Sequence, residues 1–117
     1  SVTDGSAGTY KKELGGQELK LMRRAEAARS GALLDARYDV LDHPDGRLEV
    51  TLEIREELIR YIRRFKPDLI ITNRLNDYHA DHRNTAQLVQ DASFLLTVPC
   101  ICADTPYMDH MPVVLYW

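Results

Sequence analysis

Two cysteines are all that the 117 residues contain, Cys100 and Cys102, and their Cys-x-Cys spacing excludes most cysteine chemistry. Positions that close rarely form a disulfide, and two thiols fall short of the four ligands of a structural zinc site. They read as small buried apolar residues. No apolar run approaches the length of a membrane span, and the amino terminus lacks a basic-then-apolar leader pattern. The expectation is a soluble, cytoplasmic protein without a membrane partner. A net charge of −3 argues against a nucleic-acid partner. The local cations Arg60, Arg63, Arg64 and Lys66 read as a solvated helix end, where positive charge suits the macrodipole. Gly5, Gly8, Gly15 and Gly16 lack the spacing of a P-loop or a dinucleotide fingerprint and read as a connector.

What is present, 44% hydrophobic and 28% charged residues, suits one globular core. Ser1–Gly5 reads as the end of a strand entering a loop. Leu19, Met22, Ala25 and Ala28 predict a helix from Gln17 that Ser30 and Gly31 end. Tyr38–Leu41 predicts a short strand, and residues 42–46, Asp-His-Pro-Asp-Gly, a turn containing His43. Ile54, Leu58, Tyr61, Ile62 and Phe65 mark one face of a helix from about Thr51 to Phe65. Asp68–Thr72 has the pattern of a fully buried parallel strand. Ala86, Val89, Ala92, Ser93 and Leu96 place another helix from about Asp81, and Val113–Tyr116 offers a last strand. Strand and helix alternate, so the fold class is α/β, a Rossmann-like three-layer sandwich with a mostly parallel sheet.

The chemistry concentrates between the strand at 68–72 and the helix after it, in Asn73, Arg74, Leu75, Asn76, Asp77, Tyr78, His79, Ala80, Asp81, His82 and Arg83. Loops at the carboxyl ends of parallel strands are where open sheets bind ligands. His79 and His82 share a face if this segment is helical, and Asp81 can accept a hydrogen bond from an imidazole and fix its tautomer. One histidine can bind a metal as neutral imidazole while the other acts as acid, base or oxyanion stabiliser. A merely polar loop is the alternative.

The run Pro67–Thr72, then residues 76–85 (Asn-Asp-Tyr-His-Ala-Asp-His-Arg-Asn-Thr), then Leu88–Ala92, resembles the second conserved block of the PIG-L/LmbE-like zinc deacetylases. Many members read His-Pro-Asp-His-Arg there; Ala80 replaces the proline, which is not a ligand. The resemblance extends through Thr3-Asp4-Gly5, the helix bearing Arg23 and Glu26, and the turn at Pro44-Asp45-Gly46, so it covers nearly the whole chain. It implies a Zn2+ ion that activates water to hydrolyse an N-acyl group of an amino sugar or glycoconjugate. Matched residue by residue, it makes His82 the zinc ligand, His79 the catalytic histidine and Asp81 the acid that orients it. Asp4, Arg23, Asn76 and Asp77 are the candidates for contacting substrate.

The family's other two zinc ligands and its general base lie in an Ala-His-Pro-Asp-Asp motif after the first strand, and no such motif occurs here. His43-Pro44-Asp45 is not that motif: Gly46 stands where the second aspartate is needed, and the segment is a turn. One histidine cannot hold a catalytic zinc that needs about three protein ligands. Residues 1–117 therefore read as a single partial domain, the middle of a deacetylase truncated at both ends. Open sheet edges further predict that this segment is poorly stable or forms a homo-oligomer. His110 reads as a loop residue, and Tyr107, Tyr116 and Trp117 as packing or terminal residues. A metal-free relative that binds a glycan in the same crevice, and an unrelated Rossmann-like binding module, are the competing readings.

Overall fold

The apolar stripe of residues 54–65 does fold as a helix in the computed structural model, which describes residues 1–117. This helix, Leu52–Phe65, begins where the Thr51 hydroxyl accepts the Ile54 N–H at 3.3 Å. It ends at Lys66, whose left-handed backbone (φ 52°) aims its N–H at the Ile62 carbonyl, and Pro67 prevents continuation. The chain divides into two units, Ser1–Leu48 and Glu49–Trp117.

In the first unit the main element is α1, Gln17–Leu33. It runs two residues past the expected stop at Gly31. That glycine is buried, and a Cβ on it would stand 2.7 Å from the Ala36 carbonyl oxygen and 3.0 Å from the Tyr38 Cβ. Gly31 therefore permits the returning chain to pass close to the helix rather than ending it. The strand expected at Tyr38–Leu41 does not form. Leu41 N–H donates to Ser1 O at 2.9 Å and Asp4 N–H to His43 O at 3.0 Å, leaving only an isolated parallel bridge between Thr3 and His43.

Asp4 holds this unit's loops together. Its Oδ1 accepts the backbone N–H groups of Ser6 at 3.0 Å and Asp45 at 3.2 Å, and its Oδ2 pairs with Lys20 Nζ at 3.3 Å. Burial opposes ionisation, but the hydrogen bonds from Ser6, Asp45 and Lys20 outweigh it and bring the carboxyl down to about 2. A carboxyl whose folded pKa lies below its unfolded value of about 3.9 contributes stability that is complete above that value and lost as pH falls towards 2. Acid titration of unfolding should show wild type losing its advantage over Asp4→Asn between about pH 4 and pH 2. A constant gap across that window would remove the assignment.

The second unit contains α2, the helix Leu52–Phe65 already described, and then β1 (Leu69–Thr72), α3 (Ala80–Leu95) and β2 (Val113–Tyr116). The two strands pair in parallel, Leu69 opposite Val113 through Thr72 opposite Tyr116, as the alternation of elements requires. Leu58, Ile59 and Ile62 of α2 and Ala86, Leu88, Val89 and Ala92 of α3 are buried where the two helices pack, and α3 also lies against both strands. β1 is not fully buried, contrary to its apolar pattern. Leu69, Ile71, Val113 and Leu115 share one sheet face and are exposed, because α3 covers only the other face. No helix is long and apolar enough to cross a membrane.

The basic cluster at the end of α2 is only partly a solvated helix end. Arg63 is 1% exposed, and its guanidinium donates to the carbonyls of Leu95, Leu96, Val98, Ile101, Cys102 and Thr105. It serves as a cap for the carboxyl end of α3 and as the hub of the following loop, satisfying carbonyls that the helix leaves unpaired.

Candidate functional site

β1 ends at the buried Thr72, and the loop that follows delivers its polar side chains to the amino terminus of α3. His79 is the N-cap of that helix. Its ring Nδ1 accepts the Asp81 backbone N–H at 3.2 Å, taking the place of the usual serine or aspartate oxygen. Asp77 Oδ1 accepts the His79 backbone N–H at 2.8 Å and meets His82 Nδ1 at 3.0 Å. Arg83 reaches back from the first turn, donating through Nη1 to the carbonyls of Asp77 at 2.7 Å and Tyr78 at 3.1 Å. The loop is thus tied down from both sides.

The two imidazoles lie with centroids 4.8 Å apart at 35°. Tyr78, 88% exposed, stands edge-on to both, 6.0 Å from His79 and 5.8 Å from His82. The His79 N–H holds the Asp77 carboxyl below its ordinary value; burial pushes the other way, and His82 and Arg74 add to the lowering. An ionised carboxylate only accepts, so the shared hydrogen sits on His82 Nδ1, and whenever that ring is neutral its Nε2 is bare. His79 has the opposite arrangement. With Nδ1 accepting, its hydrogen is on Nε2. One ring offers a lone pair, the other an N–H.

Of the residues expected from sequence, His79, Asp81, His82, Asn76 and Asp77 come together at this helix end. The Asp81 side chain is buried, and its backbone N–H is the group that meets His79. The Asp77 carboxylate meets the His82 imidazole. Asn76 is exposed. Asp4 and Arg23 lie in the first unit, where both line a cavity of about 310 Å³ with Glu26, Ser30 and Tyr38. Arg23 bridges Glu26 at 2.8 Å and the Gly8 carbonyl at 3.3 Å. Tyr78 and Arg83 escaped the sequence reading as site residues. The available signal was an aromatic beside the first histidine and a cation one helical step beyond the second.

A family model described as PIG-L, GlcNAc-PI de-N-acetylase, matches residues 1–93. Over 98 residues the chain is 35% identical to a diacetylchitobiose deacetylase of Thermococcus kodakarensis, spanning 80% of this chain and 37% of that protein. Among solved structures it resembles the N,N'-diacetylchitobiose deacetylase of Pyrococcus horikoshii, in complex with an inhibitor, at a TM-score of 0.87 and 28% identity. That match covers 99% of this chain and 47% of the other. A 4-carboxy-2-hydroxymuconate hydratase of Pseudomonas putida KT2440 shares the fold at a TM-score of 0.83 and 23% identity, over 96% of this chain and 49% of that one. The chain therefore spans between about a third and a half of the relatives it matches. A hydratase on the same fold means that the reaction must be argued from the site.

Proposed function

This chain belongs to the PIG-L family, and from that premise we propose that it is part of a zinc-dependent hydrolase removing the acetyl group from an N-acetylated amino sugar. The observation that supports the reading is the histidine pair, with ring centroids 4.8 Å apart, the Asp77 carboxylate on His82 Nδ1 and the Asp81 N–H on His79 Nδ1. A metal-binding imidazole commonly donates its second N–H to a carboxylate, as His82 does to Asp77, so His82 suits one corner of a zinc site. No group of three His, Cys, Asp or Glu side chains within residues 1–117 is arranged to hold a metal ion. The remaining ligands would come from residues outside this stretch. When bound, zinc would lower the pKa of water and polarise the amide carbonyl.

The chain's own residues act at the carbonyl oxygen and at the sugar. His79 Nε2–H donates to the carbonyl oxygen as negative charge gathers on it, held in place by the Asp81 N–H on its other nitrogen. Asp81 is the residue assigned to orienting this histidine, through that backbone N–H. Water oxygen bonds to the acetyl carbon, the C–N bond breaks, and the nitrogen leaves with a proton as the free amine, beside acetate. Asn76 is the side chain assigned to a sugar hydroxyl; in the first unit, Arg23 and Asp4 line a separate cavity and are assigned as candidate substrate contacts there. The substrate class follows the relatives, which are named for diacetylchitobiose.

Zinc content and acetate release from diacetylchitobiose, measured on the protein with its complete metal site, test this. His82→Ala is expected to lose the bound metal and the activity while its circular dichroism stays that of wild type. Full zinc occupancy in that variant would remove His82 as a ligand and the reading with it.

A further inference from the structure

We propose that Asp77 is the positioning residue of the histidine pair, setting the tautomer of His82 and the seat of His79 through a single oxygen. Oδ1 receives both the His79 backbone N–H, at 2.8 Å, and the His82 ring, at 3.0 Å. The side chain is only 9% exposed, and Oδ2 faces Arg74 at 3.9 Å, so little of the carboxylate is presented to a ligand. Asp77 is also a candidate for contacting substrate, and its Oδ1 is already engaged within the loop. Its own backbone carbonyl is gripped by Arg83, which fixes the carboxylate against the helix end. Asp77 favours the Nδ1–H form of His82 while the Asp81 N–H on His79 Nδ1 favours the Nε2–H form of that ring, although both sit in one loop and share Tyr78 as an edge-on neighbour. A free imidazole favours the Nε2–H form. Without Asp77, His82 would adopt it and cover the nitrogen that must stay bare.

The use of the bare nitrogen rests on the zinc reading above, whereas the tautomer does not, and the two are measured separately. Two-bond proton–nitrogen correlation spectra of 15N-histidine-labelled protein at about pH 8, where imidazole is neutral, report each ring directly. His82 is expected to carry its hydrogen on Nδ1 in wild type and in Asp77→Asn, whose amide oxygen can replace Oδ1, and to move towards the Nε2–H form in Asp77→Ala. A wild-type His82 already protonated at Nε2, or an unchanged ring in Asp77→Ala, would overturn the proposal. If Asp77→Ala does not fold, the wild-type spectrum decides alone.

The second readout is zinc affinity in the protein with its complete metal site. Asp77→Asn keeps an acceptor for the His79 N–H but loses the charge that makes His82 more basic. It should weaken zinc by about tenfold or more. A purely structural clamp would leave the affinity of the Asn variant unchanged, which would overturn the proposal. Should His82→Ala keep its zinc, the functional reading fails while the tautomer result still judges Asp77.

Discussion

Arg63→Met is expected to lower the stability of the second unit by about 3–5 kcal/mol, the scale of breaking a buried charged network. The side chain has no carboxylate among these contacts. Its five N–H groups are spread over six carbonyls, of Leu95, Leu96, Val98, Ile101, Cys102 and Thr105, at 2.7–3.1 Å. Leu95 and Leu96 end α3, so their oxygens carry the partial negative charge of the helix terminus as well as unmet acceptors. Removing the guanidinium leaves several buried acceptors without donors, each costing about 1–3 kcal/mol before water or rearrangement relieves it. Cys102 sits at φ 46°, a left-handed conformation for a residue with a side chain, and its carbonyl is one of those held. Without the arginine that local strain has one tether fewer. Lysine should restore only a minor part, since three donors at one point cannot replace a planar fork. Urea unfolding of wild type, Arg63→Met and Arg63→Lys measures this directly, with the slope checked for constancy. A loss below about 1 kcal/mol would mean that the carbonyls find other partners.

Arg63 also shows where reading from sequence ends. The helix that carries it was legible, because Ile54, Leu58, Tyr61 and Ile62 announce a period within one short window. The partners of Arg63 are main-chain oxygens more than thirty residues away, and a carbonyl has no letter in the sequence. An arginine among Arg60, Arg64 and Lys66 looks like a solvated charge until the loop folds over it. Gly31 failed for a related reason. A glycine near a helix end suggests a cap, but here it answers to the Ala36 carbonyl, which only the fold brings near. The apolar pattern of Leu69 and Ile71 located β1 correctly and misjudged its burial, because burial depends on what lies over the far sheet face.

The site divides in the same way. Its place at the end of β1 and the start of α3 was readable, since an apolar strand, a polar loop and a periodic helix occur in order. Which acid meets which imidazole was not. Asp77 and Asp81 are both within a turn of the histidines, and the family resemblance assigned Asp81 to His79 without indicating what Asp77 would meet. The loop geometry brings the Asp77 carboxylate onto the His82 ring and turns the Asp81 N–H onto His79.

That geometry leads to the largest kinetic effect expected here. His79→Ala, in the protein with its complete metal site, should reduce kcat by about 10²–10³, the usual loss when one oxyanion donor is removed. KM and zinc content should change little, because His79 Nε2 carries a hydrogen and is no metal ligand in this tautomer. The same substitution removes the N-cap of α3, which costs about 1 kcal/mol of stability. Asparagine separates the two roles. Its side-chain oxygen can accept the Asp81 N–H and restore the cap, yet it is too short to cap the helix and donate at the position of Nε2 together. His79→Asn should therefore melt close to wild type while its kcat stays as low as that of His79→Ala. If either variant kept kcat within a factor of about ten of wild type, His79 would be a helix cap and no more, and the charge on the carbonyl oxygen would have to be met elsewhere.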